Sequence, residues 1–113
     1  GVDIFFDTID NDVRQKATGM LAKITIYGKI DESIQEELIK IFNWSKELNG
    51  NAWYRDLEIK IYEGGETKRN YIFPNMFVLD YKEIYRVSGS NANDTFELYL
   101  TQKENNFDKI DTF

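Results

Sequence analysis

Hydrophobic and polar positions along the chain follow two periods, and the switches between them lay out the elements. Met20, Ala22, Ile24 and Ile26 alternate with Leu21, Lys23, Thr25 and Tyr27, the period-two signature of a half-buried strand. A shorter β-branched and aromatic run, Val2-Asp3-Ile4-Phe5-Phe6-Asp7, predicts a strand before it. The polar stretch between them, Thr8 to Gly19, reads as a long loop.

Past Gly28 the period lengthens. Ser33-Ile34-Gln35-Glu36 has the form of a capping box, in which the serine hydroxyl accepts from the third amide and Glu36 reaches back to the cap. Ile34, Leu38, Ile41, Phe42 and Leu48 then fall on one stripe, and Glu36 and Lys40 stand four apart on the solvent side. The spacing predicts a helix over about 33–49, ended by the left-handed conformation that Asn49-Gly50 supports.

After Gly50 the period returns to two. Leu57, Ile59 and Ile61 share one face and Glu58, Lys60 and Tyr62 the other, until Glu63-Gly64-Gly65-Glu66 turns the chain back. The return strand, Thr67 to Phe73, meets Pro74-Asn75, where a missing donor and a fixed φ predict a bend or bulge. A further strand is expected over Met76 to Val87, then a small polar loop, Ser88 to Asp94. From Thr95 to Thr101, Phe96, Leu98 and Leu100 alternate with Thr95, Glu97 and Tyr99. The polar tail, Gln102 to Phe113, carries Phe107, Ile110 and Phe113 as isolated anchors.

The expected architecture is mainly β in an α+β arrangement, with about six antiparallel strands in a curled sheet or small barrel and one helix covering an edge or end. No repeat, low-complexity tract or linker divides the chain, so residues 1–113 read as one domain, with 8–19 as a loop and 102–113 as a tail.

Composition narrows the chemistry. The 113 residues include no His and no Cys, so no imidazole base, thiol nucleophile, thiolate zinc site or disulfide can come from this chain. Aromatics make up 15%, which is enough bulk for a packed core at this length. With 14 basic against 20 acidic residues the formal charge is −6, and only Lys68-Arg69 are adjacent cations, which argues against a nucleic-acid partner. No apolar run reaches the roughly 20 residues that span a bilayer, and no signal-peptide layout opens the chain, so a cytoplasmic protein without membrane insertion is expected.

Candidate sites have plain alternatives. Asp7, Asp10 and Asp12 cluster oxygen ligands but miss the calcium-loop spacing, and no metal or cofactor is expected. Asp31, Glu32, Glu36 and Glu37 bracket a helix start, where the macrodipole favours negative charge without any catalytic role. No serine, Ser45 included, is placed near an activated lysine, and the chain reads as not an enzyme. Trp53, Tyr54 and Arg55, with Trp44, could form a groove that stacks a glycan or peptide, or could pack beneath the helix. Tyr71, Phe73, Phe77, Tyr81, Tyr85 and Phe96 exceed what a single thin sheet hides, which suggests an interface. Phe5, Phe6, Phe77, Tyr81, Tyr85, Phe107 and Phe113 are the interface candidates.

The second half of the chain carries a resemblance. Tyr54-Arg55-Asp56-Leu57-Glu58-Ile59-Lys60-Ile61-Tyr62, the glycine turn, Arg69 to Tyr81, the Ser/Gly/Asn loop and Asp94 to Leu100 are similar to the closing strands of Hcp-like tube proteins of type VI secretion and contractile phage tails. The likeness covers residues 54–101; the first half carries no residue-level signature, and the chain is shorter than most tube subunits. A tail or baseplate component therefore stands beside the tube itself as a reading. The resemblance implies a non-catalytic subunit that forms a six-fold ring with copies of itself, its sheets joined edge to edge around a polar lumen, and that meets other tail or secretion components. The Thr8–Gly19 loop and Gln102–Phe113 tail would then stack the rings. The alternative is a monomeric β-rich module binding a peptide or glycan through Trp53, Tyr54 and Arg55.

Overall fold

The computed structural model describes residues 1–8, 20–47, 53–86, 93–103 and 106–113. Within them lie β1 (Val2–Thr8), β2 (Met20–Lys29), helix α1 (Gln35–Ser45), β3 (Arg55–Glu63), β4 (Glu66–Ile84), β5 (Thr95–Gln102) and the two-residue β6 (Asp111–Thr112). All pairings are antiparallel, in the order β1-β2-β5-β4-β3, and β6 pairs with β4. The sheet is an open, curled half-barrel with α1 against β4.

The expected count of six strands holds, but its membership differs. The runs expected at Thr67–Phe73 and Met76–Val87 are one 19-residue strand, β4, and the sixth strand comes from the tail. β4 stays continuous because it changes neighbours at Pro74-Asn75. Up to Met76 it pairs with β3, and from Met76 to Ile84 with β5 on its opposite flank. The expected irregularity is present: register shifts between Leu57↔Phe73 and Arg55↔Met76, so Asp56 faces both Pro74 and Asn75. Asn75 adopts φ 54°, and its amide donates to Asp56 Oδ1 at 3.1 Å. A backbone whose ladder is interrupted by proline thus finds its hydrogen bonds in side chains.

The helix also departs from expectation at its start. Asp31, not Ser33, is the cap: it precedes a 3-10 turn, Glu32–Ile34, and its Oδ1 accepts from the Ser33 amide at 2.8 Å and from the Ser33 hydroxyl. Gln35, rather than Glu36, reaches back, donating from Nε2 to the Asp31 carbonyl at 3.2 Å. The helix is rolled relative to the expected stripe, so that Leu38 and Trp44 are buried while Phe42 is exposed. Leu48 and the expected Asn49-Gly50 stop lie outside the described residues, as do Asp10, Asp12, residues 9–19 of the loop and Ser88–Ala92.

The core sits between α1 and one face of the sheet and comprises Ala22, Ile24, Trp44, Phe73, Met76, Leu98 and Leu100. The inward alternations of β2 and β5 are as expected, because Ile24 lies opposite Leu100 and Ile26 opposite Leu98. Burying each large side chain stabilises the fold by roughly 1.5–3 kcal/mol. Gln102, expected to open the tail, instead ends β5 inside this core at 1% exposure. Its amide is satisfied there: Oε1 accepts from the Ala22 amide at 3.3 Å, and Nε2 donates to the carbonyls of Asn106 at 2.8 Å and Pro74 at 3.4 Å. One side chain thereby joins β2, the β4 bend and the returning tail. The tail docks on its own sheet, where Asn70 and Phe113 exchange both backbone hydrogen bonds, at 2.6 and 2.9 Å.

Candidate assembly surface

Strand registers sort the side chains of β1, β2, β5 and β4 into rows. On the core face, Ile4, Ile24, Leu100 and Val78 form one row, and Val2, Ile26, Leu98 and Tyr81 the next. On the opposite face the rows are Asp3, Thr25, Tyr99 and Asp80, then Tyr27, Glu97 and Lys82. A third row on that face runs Phe5, Lys23, Thr101 and Phe77. One face is therefore apolar and packed against α1, and the other is mainly polar, open in its first two rows and covered at Phe77 by Trp53 and Tyr54.

The polar face is internally bonded. Lys82 Nζ lies 3.2 Å from Glu97 Oε2, and the Tyr99 hydroxyl donates to the same oxygen. Glu97 is held below its ordinary value, first by that hydroxyl and then by Lys82, and Tyr99 and Lys82 both shift upward because each bonds the Glu97 carboxylate. Apolar exceptions stand at its margins. Phe5 and Leu79, both 58% exposed, flank a shallow trough of ≈ 210 Å³ floored by Thr25 and Tyr99. Leu79 is turned out by a second irregularity in β4, between Val78 and Asp80.

Three strand edges lack partners among the described residues: the outer edge of β1, the outer edge of β3, and the flank of β4 beyond Met76, because β3 pairs only as far as that residue. Unpaired edges of this kind expose rows of amides and carbonyls to another chain.

The seven interface candidates are not one patch. Phe5 stands on the polar face; Phe6 stands on the other face and packs edge-on against Phe107, with centroids 5.6 Å apart. Tyr81 and Tyr85 both donate to Glu83, at 3.1 and 3.3 Å, and burial together with that bond pushes the Tyr81 phenol far above its usual range. Phe113 is exposed while its backbone is tied to Asn70. Phe77 joins the other candidate group instead. Trp53 and Tyr54 stack with centroids 6.4 Å apart, and both meet the Phe77 ring edge-on at 5.8 and 5.6 Å.

That second group contains both readings weighed for it. Trp44 is the buried member, at 8% exposure, and its indole N–H donates to the Trp53 carbonyl at 2.9 Å. Trp53 keeps 36% of its surface exposed, so it roofs Phe77 and still faces solvent. Arg55 lies 5.2 Å from the Trp44 ring centroid, and Lys103 lies 5.1 Å from that of Tyr54. The sequence missed Lys103, since nothing local joins the end of β5 to the start of β3; Leu79 was missed because a strand period does not show an inserted residue.

Carboxylates do not converge on a catalytic arrangement among the described residues. Among the described residues, Asp31 and Glu97 are the carboxyls whose titration shifts, and both shift downward, the direction of a stabilised anion rather than a general acid. No group of three potential metal ligands occurs among the described residues.

No protein-family model matches the chain, and no curated protein sequence matches it. Solved structures do. The chain is similar to a chain of the sheath-tube complex of an extracellular contractile injection system, PVC, in its extended state, with TM-score 0.62, 19% identity, and coverage of 100% of this chain and 78% of that one. It is likewise similar to a chain of the anti-feeding prophage cap, which terminates the AFP tube, with TM-score 0.61, 17% identity, and coverage of 100% and 78%. Hcp1 from Flavobacterium johnsoniae gives TM-score 0.60 at 15% identity, with coverage of 99% and 82%. At these identities the likeness is one of fold, and it extends over the first half of the chain as well as residues 54–101.

Proposed function

We propose that this chain is a non-catalytic structural subunit that assembles with copies of itself into the ring of a phage-tail-like or type VI-like contractile apparatus, as a tube or tube-associated component. The observation that carries the reading is the four-strand rank β1-β2-β5-β4, apolar and helix-covered on one face and mainly polar on the other, with no strand partner among the described residues at the outer edge of β1 or along β4 beyond Met76. A sheet built this way hides its edges when it joins the sheet of the next copy, and the polar face then lines the enclosed space. The fold likeness to tube, cap and Hcp proteins supports the same reading. Six copies per ring, assembly after synthesis in the cytoplasm, and contact with further tail components complete the proposal. The Thr8–Gly19 loop and the tail beyond Gln102 are its stacking elements.

The test is mass by light scattering behind a sizing column, with negative-stain imaging of the same fractions. Rings of six subunits, or tubes, are expected. A monodisperse 13.3 kDa monomer at high concentration would overturn the proposal and favour a monomeric module that binds a peptide or glycan at Trp53 and Tyr54.

A further inference from the structure

The two ends of α1 differ in charge and chemistry. Asp31, Glu32, Glu36 and Glu37 are exposed around its first turn, and no cation occurs between Lys29 and Lys40. The helix spans 11 residues, which places its last turn about 16 Å away at the standard rise. There the Trp44 indole ties the helix to Trp53, which is exposed, and half-buried Tyr54 stacks beside it, with Arg55 and Lys103 against the Trp44 and Tyr54 rings.

Both cations sit against aromatic rings, and neither forms an ion pair with an acid among the described residues. Asp56 adjoins Arg55, and its Oδ1 is occupied by the Asn75 amide at the β4 bend; Glu47 also stands at this end of the helix, its amide donating to the Trp44 carbonyl. The rings are fixed before any partner arrives, because Trp53 and Tyr54 are both braced on Phe77. Rigid Trp and Tyr beside Arg is the composition that carries binding energy at protein interfaces, since little side-chain entropy is lost on docking.

From this we infer that the Trp53–Tyr54–Arg55–Lys103 surface is a docking site for the acidic start of α1, residues 31–37, in a second copy of this chain. This contact presupposes the assembly proposed above and would direct it. A ring closes only through a heterologous contact, in which two different patches of one subunit meet their counterparts on its neighbours. The opposed ends of α1 supply two such patches of opposite sign. In a chain of formal charge −6, a cationic surface is attractive to other copies where their acidic residues are densest.

The experiment uses a double and a triple variant of the full chain. Arg55→Glu with Lys103→Glu makes both patches acidic, and Glu32→Lys with Glu36→Lys and Glu37→Lys, which leaves the Asp31 cap in place, makes both basic. Each alone is expected to weaken assembly about tenfold or more, read as the concentration at which the light-scattering mass falls to the monomer. Mixing the two variants in equal amounts restores attraction at every contact of an alternating ring, so assembly is expected to return. Circular dichroism of each variant confirms the fold. Variants that assemble like wild type, or folded variants that mixing does not rescue, overturn this contact while leaving the assembly reading intact. Wild-type chain that stays monomeric overturns the assembly reading and this contact with it.

Discussion

The carboxylate of Asp56 accepts the backbone amide of Asn75 at 3.1 Å, at the point where β4 leaves β3 and joins β5. Asn75 is there in a left-handed conformation, φ 54°, and its Nδ2 donates to Asn106 Oδ1 at 2.8 Å. Lys103 donates its amide to the Asn75 carbonyl at 2.8 Å, so the bend is bonded to β3 and to the returning tail together. Asn75→Val introduces a β-branched side chain where φ is positive and is expected to destabilise by about 2–3 kcal/mol. Asn75→Gly keeps the backbone and loses only the amide contact, at about 1 kcal/mol. Urea denaturation measures both, and equal losses would contradict the assignment of strain to this residue.

The two faces of the sheet should respond differently to truncation. Leu100→Ala removes a side chain at 1% exposure from the centre of the core and is expected to cost about 2–5 kcal/mol. Leu79→Ala, on the opposite face, is expected to change stability by about 0.5 kcal/mol or less. If the second substitution matched the first in thermal or urea unfolding, the division into a packed and an open face would be wrong.

The two tryptophans should be spectroscopically distinct. In Trp53→Phe the remaining Trp44 is buried, so its emission should lie to the blue and resist acrylamide. In Trp44→Phe the remaining Trp53 should emit to the red and quench readily. The latter variant also removes the donor to the Trp53 carbonyl and is expected to lose about 1 kcal/mol. Identical quenching constants in the two variants would contradict the placement of Trp44 under Trp53.

Glu97 gives a pH dependence with a definite sign. Its folded value is lowered by the Tyr99 hydroxyl and by Lys82, so the anion is favoured in the folded state. That contribution is present above the ordinary glutamate range, roughly pH 4, and is lost as pH falls through the lowered folded value. Glu97→Gln should therefore flatten the acid limb of stability below about pH 4, measured by urea midpoints at each pH. Because the group faces solvent, salt should reduce the difference. A wild-type acid limb no steeper than that of the variant would rule the contribution out.

Much of the fold was legible because the patterns that betray it are local. Alternation in β2, β3 and β5 marks which side chains share a face whatever the strands later pair with, and Gly64-Gly65, at φ 62° and 83°, make the turn that joins β3 to β4. Boundaries set by competition were less legible. Asp31 and Ser33 are both good caps, and only the extended backbone at Asp31 decides between them. Phe42 fits the helical stripe as well as Trp44 does; the position of β4 against α1 buries Trp44 and leaves Phe42 outside.

The candidate surface divides in the same way. That Trp53, Tyr54 and Arg55 adjoin one another is a fact of sequence, as is the acidity of residues 31–37, and the absence of His and Cys removes imidazole and thiol chemistry without any structure. That Lys103 completes the aromatic surface, that Gln102 is buried, that β4 is one strand, and that β1 and the far half of β4 each keep a flank without a strand partner among the described residues were decided by tertiary structure. The reason is physical. Periodicity follows from the geometry of a single strand or helix, whereas pairing order and register follow from the competition of all strands for a common core, and shifting one register by a single residue exchanges the two faces of a strand.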